Sequence, residues 1–369
     1  MVNTSPRSVY IHIPFCKSKC KYCSFVSFEN SDNRLGYIFS LLKEINYYYD
    51  KTPLKTLYIG GGTPSLLDSK DLSKIISKFV FDKDAEITTE LNPNDINRDY
   101  LSKLKDIGIN RLSIGAQSFD DKILKLIGRR HTVNEIYKSV ETAQDLGFKN
   151  ISLDLIYGLP QQTIEGFRHD LKEVINLEVK HISLYGLKIE DGCYFYDYPP
   201  KNLPDDDIQA DMYLLANDIT SKHGYNHYEI SNYSKPGYES KHNTNYWECG
   251  EYYGFGVSAH GYKDGIRYSN PTVLDDYITH PTTHEYGKFL TEKDKLEERI
   301  FLGLRLSKGI DTTRLNADFG IDFDSLYGKV LDKYLKTGHI IKTKNGYALS
   351  NSKTSNGFLL SNTILADFL

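Results

Sequence analysis

The first half of the chain alternates short apolar runs with longer segments of helical periodicity. The apolar runs predict six strands, at residues 8–13, 56–59, 86–89, 111–114, 151–155 and 181–184. The segments between them predict helices at residues 33–49, 69–81, 99–107, 120–127, 133–146 and 164–177. Six strand–helix units in succession indicate an α/β protein with a parallel sheet and right-handed connections. Such units form either a doubly wound sheet or an incomplete barrel, and both bind ligands at the carboxyl ends of the strands.

The second half of the chain is less regular. Residues 186–275 are rich in aromatic side chains, and residues 270–288, rich in Thr, His and Pro, are typical of a linker. Beyond them, a helix at residues 297–306, a helical stretch at 315–334 and a strand at 346–349 predict a small helical, winged-helix-like domain. We therefore divide the chain into three units, which are a core at 1–185, an aromatic-rich extension at 186–275 and a C-terminal domain at 289–369.

The composition is that of a soluble globular protein, with 40% hydrophobic and 25% charged residues. A net charge of -4 gives no electrostatic reason to expect a nucleic-acid partner. Residues 1–8 lack the apolar core of a secretory signal, and no apolar run is long enough to span a membrane. With only five cysteines in 369 residues, we expect reduced thiols and a cytoplasmic protein.

Three cysteines follow the first predicted strand directly, as Cys16, Cys20 and Cys23. A cubane iron–sulfur cluster takes one cysteine per iron, so three thiolates would leave one iron of a 4Fe-4S cluster open to a small molecule. The alternative is structural zinc, which needs four ligands and could recruit His12. The other two cysteines, Cys193 and Cys249, stand alone, and this spacing favours the cluster.

Polar and glycine residues also follow the later predicted strands. The glycine-rich segment 60–64 follows the second strand, and Glu90, Gln117 and Asp154 lie at the ends of the next three. Carboxylates accept hydroxyl or ammonium groups, and the guanidinium of Arg129 matches a carboxylate. The set therefore suits a ligand that carries ribose hydroxyls, an ammonium group and a carboxylate. A purely structural alternative is a tight turn at the glycines and helix caps at the carboxylates.

These motifs together resemble the radical S-adenosylmethionine superfamily, whose core is an incomplete (β/α)6 TIM-like barrel. The resemblance extends over residues 10–23, 60–65, 90–93, 113–119, 154–160 and 297–305. It implies that the three clustered cysteines hold a 4Fe-4S cluster whose open iron chelates S-adenosylmethionine. By position, the residues that would line the rest of that site are Tyr10, Ser24, Gly61, Gly62, Thr63, Glu90, Gln117, Arg129 and Asp154.

Within the superfamily, the chain resembles the branch that contains oxygen-independent coproporphyrinogen III oxidase and the heme chaperones. The oxidases carry one more cysteine, at the position of Phe25, and a long segment before the motif, whereas fifteen residues precede Cys16 here. Both differences favour the chaperones.

A chaperone signature, His-Asn-x-x-Tyr-Trp, occurs at residues 242–247 and implies a heme site at His242, Tyr246 and Trp247. An imidazole can ligate heme iron, and the aromatic rings can pack against a porphyrin. Without the resemblance, a histidine beside aromatic residues is usually structural. Other candidate ligands are His227, His260 and Cys249.

The sequence therefore predicts a cytoplasmic heme chaperone in which the cluster and S-adenosylmethionine govern the binding or release of heme. Its partners would be heme as cargo and a heme-acceptor protein, for which the respiratory chain is one candidate source. Membrane contact would occur only through that partner. The aromatic segments would form either a homodimer interface or a pocket. The alternative function is radical oxidative decarboxylation of coproporphyrinogen III, or another radical reaction on a tetrapyrrole.

Overall fold

The computed structural model describes residues 6–29 and 32–369. Residues 1–5 lie outside the described residues. They belong to the predicted core unit and to the segment 1–8, which we expected to lack a secretory signal. Within the described part of the chain, no helix combines the length and the apolar character needed to cross a membrane.

All six predicted strands are present, and most extend a few residues beyond the predicted ends. They are β1 (Ser8–Ile13), β2 (Leu54–Gly61), β3 (Phe81–Leu91), β4 (Arg111–Gln117), β5 (Asn150–Tyr157) and β6 (His181–Gly186). The helices of this half are α1 (Arg34–Tyr48), α2 (Ser69–Ile76), α3 (Arg98–Asp106), α4 (Asp121–Leu126), α5 (Val133–Asp145) and α6 (Ile164–Asn176). The prediction that the second helix reaches residue 81 was wrong, because β3 already begins at Phe81. Short 3-10 turns at Pro64–Leu66 and Pro93–Asp95 follow β2 and β3.

The strands β1 to β6 lie side by side in chain order, and each pairs with the next in parallel. The sheet continues beyond both ends of this series. Strands β8 (Asn232–Ser234) and β7 (Asn226–Glu229) follow β6, and β9 (Tyr253–Phe255) pairs with β1 in parallel. The predicted α/β fold with an incomplete (β/α)6 barrel is confirmed, and the irregular second half supplies the strands at both edges.

The two faces of this sheet differ in polarity because side chains alternate along each strand. On one face, residues such as Ile11, Leu57 and Leu112 are fully buried in the hydrophobic core. Each such side chain stabilises the fold by about 2 kcal/mol. The opposite face carries polar residues in register, for example Tyr10 beside Tyr58 and Glu90 beside Ser113. The barrel therefore has a polar interior rather than an apolar one.

The extension and the residues that follow it, up to residue 289, are more regular than their sequence suggests. This stretch contains α7 (Tyr194–Asp197), α8 (Asp206–Lys222), α9 (Lys241–Trp247), α10 (Leu274–Thr279) and a three-stranded antiparallel sheet of β10 (His260–Lys263), β11 (Ile266–Ser269) and β12 (Tyr286–Phe289). The predicted linker at residues 270–288 was wrong, since it contains α10 and the start of β12.

The reason for this order is a buried carboxylate on α1. Glu44, which is fully buried, accepts hydrogen bonds from the backbone N–H of Gly256, the Asn270 amide and the Tyr277 hydroxyl, at 2.8, 2.5 and 2.5 Å. A buried carboxylate is tolerated when it is hydrogen-bonded in this way. These hydrogen bonds fix the segment from residue 256 to α10 against the barrel. The periodicity of the segment's own sequence does not predict this order.

The C-terminal domain has its own apolar cluster. Its elements are α11 (Glu292–Gly303), β13 (Ile310–Asp311), α12 (Thr312–Phe319), α13 (Phe323–Lys336), β14 (Ile340–Lys342), β15 (Gly346–Leu349) and α14 (Ser361–Ala366). Strand β15 lies between β13 and β14, both antiparallel to it, in the helix–strand–helix–helix–strand–strand order of a winged-helix-like domain. The helix predicted at 297–306 starts earlier, because Thr291 and Asp294 form a capping box. The proposed boundaries of the three units stay a prediction.

Candidate functional site

The cysteine loop, defined here as residues 16–28, leaves the carboxyl end of β1 and returns to it. Its base is closed by two backbone hydrogen bonds, from Cys16 N–H to the Phe28 carbonyl at 3.0 Å and from Phe28 N–H to the Pro14 carbonyl at 2.7 Å. Within the loop, Cys23 N–H donates to the Cys20 carbonyl at 3.1 Å, so a tight turn links these two cysteines. All three thiols are free and their residues partly buried. The loop is therefore ordered by its own backbone.

The surroundings of the thiols suit thiolate ligands. Thr63 Oγ1 donates to Cys16 Sγ and Arg129 Nη1 donates to Cys20 Sγ, each at 3.5 Å. Burial raises the pKa of Cys16, and burial also raises the pKa of Cys23 to about 11. Since iron binds the thiolate, a cluster would displace the thiol protons, and the two donors would then stabilise the sulfur charge. The residues present fit a 4Fe-4S cluster.

In the described ranges 6–29 and 32–369, no three or more His, Cys, Asp or Glu side chains converge to hold a single metal ion. A cubane does not need such convergence, because each cysteine binds a different iron. His12, the fourth ligand of the zinc alternative, is instead held by the Val26 carbonyl at 2.8 Å and the Tyr10 hydroxyl at 3.0 Å.

The glycine-rich segment lies directly against the base of the cysteine loop. Gly62 N–H donates to the Ile13 carbonyl at 2.7 Å, and Thr63 N–H donates to the Phe15 carbonyl at 2.8 Å. Gly61 has a φ of +110°, and a Cβ there would lie 2.6 Å from the His12 ring. Only glycine fits this backbone, so the approach of segment 60–64 to the loop explains its composition.

Two carboxylates lie on the polar face of the sheet beside this segment. Glu90 accepts from the Tyr58 hydroxyl at 2.7 Å and from Gly61 N–H at 3.2 Å. Asp154 accepts from Ser113 Oγ at 3.1 Å. Burial, reinforced by the nearby charge of Asp154, raises the pKa of Glu90 to about 7, and burial also raises the pKa of Asp154. Both are acceptors in a poorly solvated interior, where a donor ligand would be favoured.

Gln117 and Arg129 lie next to each other across a bulge at the end of β4. Gln117 has a φ of 69°, and the pairing of β4 with β5 shifts register between Gly115 and Gln117. Arg129 donates to the Asn92 side chain at 2.6 Å and to the Gly115 carbonyl at 2.7 Å. Its Nε is buried without a hydrogen-bond partner in the described part of the chain. The guanidinium is thus fixed at the site, and its Nε–H is available to a ligand.

The remaining predicted ligands, Tyr10 and Ser24, differ in their setting. Tyr10 lies in the polar face, with its ring 6.2 Å from that of Tyr58 and at 27° to it. Ser24 Oγ donates to Glu190 at 3.1 Å and so contacts the segment after β6 rather than the glycines. Among the predicted ligands, Thr63 and Arg129 contact the cysteine sulfurs, and Gly62 contacts the base of the loop. Gly61 donates to Glu90, Asp154 lies on the same polar face beside Ser113, and Gln117 lies beside Arg129. The role of the set as ligands of S-adenosylmethionine stays a prediction.

The signature residues 242–247 form α9, which packs against the barrel. His242 is 1% exposed, and both of its ring nitrogens are hydrogen-bonded, Nδ1 to Thr56 Oγ1 at 2.8 Å and Nε2 to the Tyr246 hydroxyl at 2.6 Å. Burial lowers the pKa of His242 to about 3. Its ring stacks on that of Tyr58, with 5.2 Å between centroids. Axial ligation by His242 stays a prediction, and it would require one of these two hydrogen bonds to break.

Trp247 ends α9 and contacts the C-terminal domain. The Arg305 guanidinium lies over the indole, 4.3 Å from its centroid, and the indole N–H is buried without a partner among the described residues. Of the other candidate ligands, His227 is buried and stacks on Tyr233 at 4.1 Å, while His260 is exposed. Burial raises the pKa of Cys249 to about 11.

Sequence reasoning missed several residues of the polar face. Thr56, Tyr58 and Glu86 link α9 to the barrel, since Glu86 accepts from the N–H of His242 at 3.1 Å. Arg111 is 2% exposed and has an unpartnered Nε within the described residues. These residues could have been found from the alternation of polar and apolar residues along the strands, because a polar residue at every second strand position predicts a polar barrel interior.

The comparisons with known proteins agree with this geometry. Residues 10–174 match the Radical SAM superfamily and residues 290–352 match the HemN C-terminal domain. A solved structure titled coproporphyrinogen III oxidase (HemN) from Escherichia coli, a radical SAM enzyme, superposes with a TM-score of 0.87 at 25% identity, covering 99% of this chain and 90% of that one. The barrel and its cysteine loop thus define a radical SAM protein.

The family can be given more narrowly. The heme chaperone HemW of Lactococcus lactis is 38% identical over 94% of this chain and 96% of the relative, and that of Bacillus subtilis is 37% identical over 94% and 95%. The heme chaperone HemW of Escherichia coli is 37% identical over 80% of each chain. The chain belongs to the heme chaperone HemW family.

Proposed function

We propose that the chain is a cytoplasmic heme chaperone that holds a 4Fe-4S cluster and S-adenosylmethionine and passes heme to an acceptor protein. The observation that carries this proposal is the meeting of the cysteine loop, the glycine segment and the strand-end carboxylates at one edge of the barrel. The names of the full-length relatives supply heme as cargo. The acceptor, with the respiratory chain as a candidate source, and a homodimer are parts of the proposal that rest on sequence alone.

The roles of the site residues follow from their chemistry. Cys16, Cys20 and Cys23 would hold the cluster, which together with S-adenosylmethionine supplies one-electron chemistry when bound. Glu90 and Asp154 are acceptors for ribose hydroxyls or an ammonium group. The spare Nε of Arg129 would donate to a carboxylate, and the backbone at Gly61 and Gly62 would admit the ligand at close range. The full set proposed to line the site is Tyr10, Ser24, Gly61, Gly62, Thr63, Glu90, Gln117, Arg129 and Asp154.

A continuous set of contacts supports coupling between heme and S-adenosylmethionine. The signature helix α9 places His242 against the ring of Tyr58, and the Tyr58 hydroxyl donates to Glu90. Any movement of α9 would therefore act on a proposed ligand of S-adenosylmethionine. This supports a chaperone in which the cofactor governs the binding or release of cargo, rather than one with two independent sites.

A heme titration tests the proposal. Anaerobically reconstituted protein, with the cluster present or removed, would be titrated with hemin and followed by absorbance. We expect stoichiometric binding that changes when S-adenosylmethionine is added. The absence of hemin binding by either form would contradict the proposed function. His242→Ala should alter the heme spectrum if this residue ligates iron, and an unchanged titration would remove that assignment.

A second candidate function is oxidative decarboxylation of coproporphyrinogen III, favoured by the TM-score of 0.87 with the Escherichia coli oxidase. Phe25 argues against this function. It is exposed in the cysteine loop, at the position where the oxidases carry a further cysteine. The same reconstituted protein, given coproporphyrinogen III, S-adenosylmethionine and a reductant, should form no protoporphyrinogen. Sustained formation of that product would replace the chaperone proposal with the enzymatic one.

A further inference from the structure

Exposed tyrosines are concentrated on the segment that follows β6. Tyr194, Tyr196 and Tyr198, which we call the tyrosine face, are 50%, 53% and 63% exposed. The rings of Tyr194 and Tyr198 stack on each other, with 4.7 Å between centroids and 29° between planes. An exposed cluster of this kind marks a binding surface more often than single exposed aromatic residues do.

The tyrosine face is held rigidly against the cysteine loop. Cys193, just before Tyr194, and Phe195, between Tyr194 and Tyr196, are buried, at 1% and 3% exposure. Phe195 N–H donates to the Lys21 carbonyl at 2.9 Å, and Ser24 in the loop donates to Glu190 at 3.1 Å. Because these anchors hold the backbone of the segment, a ligand would bind the tyrosines without first ordering the chain that carries them.

Two ammonium groups beside the tyrosine face lack carboxylate partners. Lys19 Nζ donates to the Gly192 carbonyl at 3.3 Å, and Lys21 Nζ lies 5.6 Å from the centre of the Tyr194 ring. Within residues 6–29 and 32–369, neither forms an ion pair, whereas Lys17 in the same loop pairs with Asp95 at 2.8 Å. The same segment carries three carboxylates: Glu190 lies 3.8 Å from Lys188, and within the described residues Asp191 and Asp197 form no ion pair with Lys19 or Lys21. The face therefore combines aromatic rings with two ammonium groups that are not ion-paired.

We propose that the tyrosine face, with Lys19 and Lys21, is the surface on which the porphyrin of heme docks. A planar macrocycle would stack on the tyrosine rings, and its two propionates would pair with the two ammonium groups. His242, buried and bonded through both ring nitrogens, is not open to a ligand from solvent, so heme must first meet another surface. The inference rests on the proposed function and names its docking site.

The first test replaces the rings. Tyr194→Ser/Tyr198→Ser would be compared with Tyr47→Ser/Tyr286→Ser, whose side chains are 70% and 54% exposed elsewhere. In a hemin titration we expect the Tyr194→Ser/Tyr198→Ser variant to have a dissociation constant about tenfold higher than the wild type, since each stacking contact contributes about 0.5–1.5 kcal/mol. The control pair should bind as the wild type does. Unchanged iron content and S-adenosylmethionine binding would show that both variants are folded.

The second test separates the ring from the propionates. Lys19→Gln/Lys21→Gln should weaken hemin binding several-fold at low salt and leave hemin dimethyl ester unaffected, because the ester carries no propionate charge. Lys293→Gln, whose side chain is 80% exposed, is the matched control. An equal loss for hemin and its ester would show that the lysines do not bind the propionates and would overturn their role.

The outcomes distinguish this inference from the proposed function. If the wild type binds hemin and the tyrosine variant binds it equally well, the inference alone is wrong. If that variant binds hemin normally but no longer passes it to an acceptor apoprotein, the tyrosine face is a protein-docking surface and the inference is also wrong. If the wild type binds no hemin, the proposed function fails and the inference with it.

Discussion

Single residues of the polar face determine how the site responds to pH. Glu90 has a pKa near 7, raised mainly by burial and opposed by the hydrogen bond from Tyr58. A ligand whose hydroxyls donate to this carboxylate binds its ionised form. The affinity of the site for S-adenosylmethionine should therefore rise with pH through the neutral range.

Tyr58→Phe tests this argument. The substitution keeps the ring that stacks on His242 and removes the hydroxyl that donates to Glu90, so the pKa of Glu90 should rise further. We expect S-adenosylmethionine to bind several-fold more weakly at pH 7 and to approach wild-type affinity near pH 9, measured by equilibrium dialysis. Tyr48→Phe, which loses a hydrogen bond to the Thr282 carbonyl far from the site, serves as the control. A loss of affinity that is the same at both pH values would contradict the mechanism.

A second buried carboxylate, Glu44, affects stability instead of binding. Burial raises its pKa to about 7, so between about pH 4.3 and 7 the folded state holds a proton that the unfolded state has released. Stability therefore falls as pH rises through this window, by up to about 1.4 kcal/mol per pH unit. In Glu44→Gln we expect a clearly smaller slope in urea midpoints measured at pH 5, 6 and 7. Glu292→Gln, with a side chain 76% exposed, should keep the wild-type slope.

The residues that sequence reasoning could place are those marked by local patterns. The cysteine spacing and the glycine run predict a chemistry without tertiary information, and the position of the carboxylates at strand ends follows from the βα alternation. Tyr58 and Thr56 could not be selected in this way, because their importance comes from α9, which lies far along the chain. The hydrogen bonds of the two His242 ring nitrogens could not be predicted from sequence either, because tertiary packing brings the partners to them.

Among the elements, α9 joins the barrel to the C-terminal domain. Its first residues bind Glu86 and Thr56 of the barrel strands, and its last turn carries Trp247 under the Arg305 guanidinium. Arg305 also lies 3.8 Å from Glu229, which is fully buried. The guanidinium thus serves two partners at the junction, and its loss would leave a buried carboxylate without its ion pair.

Arg305→Met should loosen this junction. We expect a stability loss of about 2 kcal/mol, from the lost cation–π contact and the unpaired Glu229. Because Trp247 is the single tryptophan of the chain, its fluorescence reports the junction directly, and the emission should shift to longer wavelength. Arg299→Met, which removes a more exposed pair with Asp318 at 3.3 Å, is the control. Identical emission spectra in the wild type and the Arg305 variant would argue against the contact.

Across the whole molecule, the proposed function gives the cluster and the barrel separate contributions to ligand binding. The cysteine loop is closed by backbone hydrogen bonds at Cys16 and Phe28, so we expect the barrel to fold without iron. Binding of S-adenosylmethionine, in contrast, would require an open iron as well as the barrel residues. Loss of the cluster should therefore remove binding while the protein stays folded.

Cys23→Ala provides the corresponding measurement. We expect loss of the iron–sulfide absorbance, at least a tenfold loss in S-adenosylmethionine affinity, and an unchanged circular dichroism spectrum. Cys249→Ala, which lies outside the loop, should retain the cluster and the affinity. If the Cys23 variant retained full affinity, the open iron would have no part in binding. If Cys249→Ala lost the cluster, the ligand assignment itself would be wrong.

The overall architecture was predictable to the extent that it is local. Six strands and six helices in order follow from hydrophobic periodicity, and they suffice for the barrel. Helix α8 and the edge strands β7, β8 and β9 were missed. The strands are short and form only through their partners, since β9 pairs with β1, β8 with β6, and β7 with β8. The prediction of a linker at residues 270–288 was wrong because this segment is also ordered by a distant partner, since Asn270 and Tyr277 donate to Glu44 on α1.

The position of β9 has a consequence for biosynthesis. Strand β1, which leads into the cysteines, comes long before β9 in the chain, so one of its edges stays open until β9 has been made. An unpaired edge strand invites association with other chains. Until residue 255 emerges, the nascent protein carries this edge uncovered next to Cys16, Cys20 and Cys23. Translation therefore leaves a period in which the edge of β1 and the cysteines beside it are accessible to other molecules.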